Sequence, residues 1–198
     1  MSQIDASRIF FLQTRIARFD DHQAYNELFL TLFPDIFRFT SGFVRSKAIA
    51  EEIISDVFIK IWEKRKDLEL ILNLKVYCYV IVKNLSQEYL KKQKRNSTLN
   101  IEDYTASLPD VYFDPEQLMI SSEMVEFIQK AIDALPAQCK LIFILIKEND
   151  FKYKEVAEIL GISVKTVENH LAIALKKISA SIHFEPSRSV RLTTGARS

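Results

Sequence analysis

Reactive side chains are few and scattered along this chain. Histidine occurs at His22, His170 and His183 and cysteine at Cys78 and Cys139, and no nucleophile stands with a base and an orienting carboxylate at a spacing that would assemble a catalytic group. Glu52 and Asp56 lie one helical turn apart but lack such companions. Both cysteines sit in apolar stretches without metal-ligand spacing, so they read as reduced core residues rather than a disulfide or a zinc site. Gly42, Gly161 and Gly195 are too far apart for a glycine-rich loop that cradles phosphate. Neither an enzyme nor a bound cofactor is expected, and recognition is the chemistry that remains.

Recognition groups concentrate between Tyr153 and Leu171, where the sequence reads as helix, tight turn, helix. Gly161 follows one apolar-periodic helix at a position where positive φ is common, and no other glycine occurs from 43 to 194. Ser163 can cap the next helix through its hydroxyl, and the small Ala157 lets the two helices cross closely. Val164, Val167, Leu171, Leu175 and Ile178 share one face of that second helix. Its other face presents Lys165, Thr166, Glu168, Asn169, Ile173 and Lys176, a mixture of hydrogen-bonding, cationic and apolar groups suited to a DNA major groove.

Helices must position these groups. Three glycines and five prolines in 198 residues fall far below the usual combined share of roughly 12%, which starves turn-rich β architectures. An all-α chain in two helical domains is expected. Residues 20–90 carry long helical periods: Ile49, Ile53, Val57 and Ile61 make a core stripe that Ile54 and Phe58 widen, while Glu52, Ser55, Asp56 and Ile59 take the other side. A second strong helix follows Asn73 and ends in Lys91, Lys92, Lys94 and Arg95.

Net charge is only +1, yet the chain is polarised. Residues 71–95 hold six basic residues and one acidic residue, whereas 96–129 hold seven acidic and none basic. The expected organisation is a first domain over 1–95, an acidic linker over 96–115 and a smaller domain of four helices over 116–184. Pro136 there suits a first helical turn, and 139–146 is apolar enough to be buried. A disordered tail over 185–198 completes it. The longest aliphatic and aromatic run, Leu141 to Ile146, is too short to span a membrane, and the N-terminus lacks a signal-peptide pattern, so a cytoplasmic protein is expected.

Two further surfaces could bind partners. The outward stripe of Glu52, Ser55, Asp56 and Ile59 suits another helix with basic groups, and it also fits an ordinary solvated face; Trp62 fits either an interface or a core position. Lys75, Tyr79 and Lys83 follow one another at four-residue steps, placing aromatic and cationic groups along one side, as unpaired bases require. Tyr77 reads as a core aromatic.

These segments together resemble the extracytoplasmic-function (ECF) sigma factors, compact two-domain members of the sigma-70 superfamily, over roughly Ala24 to Ile178. Residues Ala50 to Trp62 are similar to the segment that binds the polymerase clamp, which implies Glu52, Ser55, Asp56, Ile59 and Trp62 as the core polymerase interface. Tyr77 to Leu90 resembles the helix that reads the melted minus-10 element, implying Lys75, Tyr79, Lys83, Asn84, Lys91 and Lys92 as its contacts. Residues 64–75 correspond to the loop that receives a flipped base and are unusually aliphatic here. The helix-turn-helix corresponds to the reader of the minus-35 element, implying Ser163, Lys165, Thr166, Glu168, Asn169, His170 and Ile173. Where many members carry arginine or lysine this chain has Glu168-Asn169-His170, so phosphate contacts shift to Lys152, Lys154, Lys165, Lys176 and Lys177. His170 fits a phosphate donor or a packing residue.

The resemblance implies core RNA polymerase, promoter DNA in duplex and melted form, and an anti-sigma factor as partners, and the acidic linker as either an occupant of the polymerase RNA channel or a solvated tether. A LuxR-type regulator is the alternative, because Lys165 to Leu171 also resembles that group's recognition helix. The first hundred residues argue against it, since no alternation of strands and helices appears there.

Overall fold

The structure, a computed structural model, describes residues 6–44, 46–96 and 122–183. Of the linker expected over 96–115, Asn96 is instead the last residue of α4 and the rest lies outside the described residues, as does the tail over 185–198. Eight helices are described: α1 (Ala6–Phe19), α2 (His22–Ser41), α3 (Lys47–Glu63), α4 (Leu74–Asn96), α5 (Ser122–Asp133), α6 (Ala137–Lys147), α7 (Tyr153–Leu160) and α8 (Val164–His183). A 3-10 turn, Arg65–Leu70, joins α3 to α4. The described residues contain no strand, in keeping with the all-α expectation.

Local chemistry sets the boundaries in the first half. The Asp21 carboxylate accepts from Gln23 N and Ala24 N at 2.9 and 3.0 Å, satisfying two of the free N–H groups that open α2. These backbone bonds, chiefly the one from Ala24, lower the Asp21 pKa. The residue before it, Asp20, takes a left-handed φ of 51° and lets the chain reverse between α1 and α2. Ser46 caps α3 in the same manner. Pro34 lies inside α2 without ending it. A helix-interior proline costs ~3 kcal/mol, and the burial of Leu28, Leu32, Ile36 and Phe39 on the same helix offsets that.

The core stripe of α3 is as the spacing predicts: Ile53, Ile54, Val57, Phe58 and Ile61 are buried, and Ile49 is half-buried. α1 is an addition to the sequence reading, which starts the helical pattern at Asp20. It buries Ile9, Leu12, Ile16 and Ala17 against α2 and the 3-10 turn. Its buried Gln13 amide donates to Leu68 O and Ile71 O at 2.5 and 2.8 Å, so two carbonyls of an otherwise irregular stretch are paired.

In the second half, α5 and α6 pack against α8, and α7 crosses α8 at the corner. Pro136 is the N-cap of α6, in agreement with its expected place at a helix start. One expectation is corrected: Leu175 is 44% exposed, and Ala174, fully buried, takes its place on the inner face with Val167, Leu171 and Ile178. The order 167, 171, 174, 178 follows the helical period more closely than a step to 175. Cys78 and Cys139 are free and buried. The two halves touch along α4 and α7, and their buried residues form one apolar cluster.

Candidate nucleic-acid and partner interfaces

The corner between α7 and α8 is closed by backbone and side-chain hydrogen bonds. Lys152 N donates to Glu155 Oε2 at 2.7 Å at the start of α7. At its end Gly161 adopts φ 69°, and the N–H groups of Gly161 and Ile162 reach Ala157 O at 2.9 and 3.0 Å. Ser163 Oγ accepts from Thr166 N at 3.0 Å and lies 2.8 Å from Thr166 Oγ1. The expected serine cap is therefore present, and its hydroxyl is engaged within the corner.

With that corner fixed, Lys165, Asn169, Ile173 and Lys176 lie exposed on the outer face of α8, with Thr166, Glu168 and His170 half-buried at its sides. Lys165 pairs with Glu168 at 3.2 Å, so a cation and an acceptor are held side by side over one turn. His170 Nδ1 sits 3.4 Å from Cys139 Sγ, which ties the ring to α6. Lys152 and Lys154 are exposed at the start of α7. Between them Tyr153 is 41% exposed, an aromatic flanked by two cations that the sequence reading did not single out; its signal was the Lys-Tyr-Lys order itself.

On α3, Glu52, Ser55, Asp56 and Ile59 are exposed. Glu52 and Asp56 form no ion pair among the described residues, so two carboxylates and an apolar side chain face outward uncommitted. Trp62 is half-buried within a cluster: His22 lies 4.3 Å from it and Tyr25 5.0 Å between ring centroids, and the Arg65 guanidinium sits 4.7 Å over its ring. It joins α2 to α3 and keeps part of its surface at the end of the acidic face.

The α4 group divides. Asn84, Lys91 and Lys92 are exposed, Lys92 pairing with Glu88 at 2.9 Å. Tyr79, expected as an outward stacking platform, is completely buried instead. Its ring meets Phe39 at 4.8 Å and Phe151 at 4.7 Å, and burial pushes its hydroxyl pKa well above the usual value. The correction has a simple cause: an aromatic at that register inserts between α2 and the loop before α7. Lys75 Nζ donates to Asn149 O at 2.7 Å and lies 4.7 Å over the Phe151 ring, and burial lowers its pKa. Lys83 is half-buried, its Nζ 3.6 Å from where a Cβ on Gly161 would stand. Tyr77, expected in the core, is half-buried and packs on it.

Residues 64–75 are braced rather than loose. Leu68 is buried, Gln13 holds the backbone, Arg18 pairs with Glu69, and Asp20 accepts from Arg65 and Lys66. Those hydrogen bonds, with Lys66 foremost, lower the Asp20 pKa. Leu70 and Leu72 remain 80% and 102% exposed. No three His, Cys, Asp or Glu side chains among the described residues group to hold a metal ion, and no helix among them is long and apolar enough to cross a membrane.

Comparison with known proteins matches the two halves separately. Residues 28–96 match the model of Sigma-70 region 2 and residues 128–178 that of Sigma-70, region 4. The RNA polymerase sigma factor SigV of Bacillus subtilis is 27% identical over 145 residues, 72% of this chain and 81% of SigV. The ECF RNA polymerase sigma factor EcfG of Rhodopseudomonas palustris is 27% identical over 129 residues, 62% of this chain and 68% of EcfG. Among solved structures, the sigma factor RpoE of Bartonella quintana, in complex with the anti-sigma factor NepR, shares the fold with a TM-score of 0.56. It is 22% identical, over 83% of this chain and 99% of that one.

Proposed function

The chain belongs to the ECF group of the sigma-70 family, and from that premise we propose that it binds core RNA polymerase, reads promoter DNA with both halves and promotes melting at the start of transcription. The observation that carries this reading is the pairing of a sealed helix-turn-helix, whose outer face offers Lys165, Asn169, Ile173 and Lys176, with an uncommitted acidic face on α3. Residues 1–95 dock on polymerase through Glu52, Ser55, Asp56, Ile59 and Trp62. Residues 116–184 grip the minus-35 duplex.

The mechanism uses binding free energy twice. Contacts from α8 and from Lys152, Lys154 and Lys176 to duplex DNA fix position, and capture of unpaired bases beside Lys75, Lys83, Asn84, Lys91 and Lys92 traps the melted state. No covalent step is involved, and the site of action is the cytoplasm. Tyr79 contributes from below the surface by shaping α4 instead of stacking on a base. An anti-sigma factor covering these surfaces is the expected regulator. The match of 28–96 to region 2 favours this reading over a LuxR-type regulator.

The test is co-elution with bacterial core polymerase followed by run-off transcription on a promoter library. Core binding with promoter-dependent transcripts is the expected outcome, and Asp56→Arg should weaken core binding about tenfold, in line with the ~1.5 kcal/mol or more measured for close interfacial charge pairs. Duplex binding without any affinity for core polymerase would overturn the proposal.

A further inference from the structure

One side chain of α8 is held from outside its own helix. His170 lies on the flank of α8, between the outer face and the buried one, and Cys139 in the first turn of α6 faces it with Sγ 3.4 Å from Nδ1. The thiol is 2% exposed, and burial raises its pKa against the pull of Lys177, so at neutral pH it keeps its proton and donates to that nitrogen. A neutral imidazole carries one hydrogen, and with Nδ1 accepting, that hydrogen sits on Nε2. Nε2 has no partner among the described residues, and it is reachable by solvent, since the buried unpartnered side-chain atoms there are Tyr79 Oη, Ser86 Oγ and Glu148 Oε1. A donor is thus fixed in direction and left without an acceptor.

We propose that Cys139 is a positioning residue for duplex binding, pinning the His170 ring so that its Nε2–H meets a DNA phosphate beside α8. The inference rests on the reading of α8 as the duplex-binding helix and deepens it. The flank decides between phosphate and base. A helix seated in the major groove turns its outermost row to the base edges and its sides to the two strand backbones, and the outermost row here is Lys165, Asn169, Ile173 and Lys176. Thr166, His170 and Lys177 follow one another along one side at steps of four and seven. The Thr166 hydroxyl is engaged by Ser163, which leaves His170 and the exposed Lys177 to face the backbone. Unlike a lysine, a neutral imidazole releases no counterion when it binds, so its contact holds as salt rises. Fixing the ring before the duplex arrives removes an ordering cost from binding.

The test is binding of the full chain to a fluorescent random-sequence duplex of about 30 base pairs at about pH 8, where a free imidazole is neutral, over a range of salt. His170→Ala should weaken binding about tenfold and Cys139→Ala about threefold, with the salt slope of the wild-type chain kept in both. Cys139→Ala should add nothing in the His170→Ala background, and Cys139→Ser, which keeps a donor for Nδ1, should recover most of the loss. Nitrogen-15 spectra of the full chain should place the His170 hydrogen on Nε2. An equal loss from Cys139→Ala with or without His170 would reduce the thiol to a packing group and overturn the proposal, as would a hydrogen found on Nδ1. A salt slope lowered by roughly 0.9 in His170→Ala would mean a charged ring, and a changed base preference among the bound duplexes would mean a base contact; either result overturns the phosphate assignment. No binding by the wild-type chain would overturn both this contact and the duplex reading of α8, whereas binding that both variants leave at wild-type strength would overturn this contact alone.

Discussion

α8 and α4 each carry a row of cationic and hydrogen-bonding side chains, and the fold treats the two rows in opposite ways. α8 is complete within its own half: Val167, Leu171, Ala174 and Ile178 bury the inner face, Gly161 and Ser163 seal the corner, and Lys165, Asn169 and Lys176 face outward. α4 has part of its row pressed against α7 and the loop before it, with Lys75 and Tyr79 enclosed. On the proposed reading α8 meets a rigid duplex, for which an open row suffices. An unpaired strand is held by aromatic and cationic groups reachable together, and on α4 the packing of α7 and the loop before it separates Tyr79 from the exposed Asn84, Lys91 and Lys92.

The sharpest way to break the contrast is to disable the open row. Lys165→Ala with Asn169→Ala removes two groups proposed to meet base edges, where such contacts are worth roughly 1–3 kcal/mol of discrimination each. Run-off transcription should fall about thirtyfold or more on a promoter relative to one with a scrambled upstream element, while co-elution with core polymerase stays at the wild-type level. Equal output from the two templates in the wild-type chain would remove α8 from recognition.

A smaller effect is expected from the corner that holds α8 in place. Gly161→Ala forces a Cβ into a left-handed backbone and should cost about 1–2 kcal/mol of stability, seen as a lower melting midpoint. The added Cβ meets only Lys83 Nζ, at 3.6 Å, so the loss comes from φ and not from crowding. A melting midpoint equal to wild type would show that the corner tolerates a different conformation, and the open row would then owe its position to packing alone.

This corner was legible in the sequence because local rules decide it: glycine at a positive φ, serine before a first turn, an apolar step of three and four. Asp21, Ser46 and the α3 stripe follow from equally local signals. Tyr79 shows where such rules stop. A four-residue step with Lys75 and Lys83 defines a face, but only tertiary packing says that Phe39 and Phe151 close over it. α1 escaped for another reason, since Phe10, Phe11 and Phe19, all exposed, surround Ile9, Leu12 and Ile16 and blur the stripe. The Arg38 and Glu148 pair joins residues 110 positions apart, and nothing short-range marks it.

That pair gives the next prediction, a pH dependence of the covered row. Glu148 is pushed up to about 7, first by burial and against the pull of Arg38, and its Oε1 has no hydrogen-bond partner among the described residues. The groups around it are Arg38 and Asp35 from α2, Tyr79 from α4 and Lys140 from its own helix. Its ordinary value is 4.5, so a chain with its halves packed together binds a proton that a chain with its halves apart releases between pH 4.5 and 7. Docking is therefore strongest below that window and weakens as the pH rises through about 7. The separation of the halves, read by energy transfer between labels on Gln23→Cys and Ser179→Cys, both at exposed positions, should lengthen between pH 6 and 8. Lys75, lowered by burial, acts in the opposite direction toward its own higher range, and Glu148→Gln isolates the carboxyl by abolishing the change near 7.

The smallest effect belongs to the part of α4 that α7 leaves uncovered. Lys92 is exposed and pairs with Glu88 at 2.9 Å, a surface pair worth little to the fold, so Lys92→Ala should move stability by less than about 0.5 kcal/mol. Its contribution is electrostatic, and one lost phosphate contact lowers the slope of log affinity against log salt by roughly 0.7–0.9. Measured on forked promoter DNA with polymerase present, the variant should bind about twofold to threefold more weakly at low salt and converge on wild type as salt rises. An unchanged slope would take Lys92 out of the phosphate contacts, and the uncovered row of α4 would have to be redrawn without its basic end.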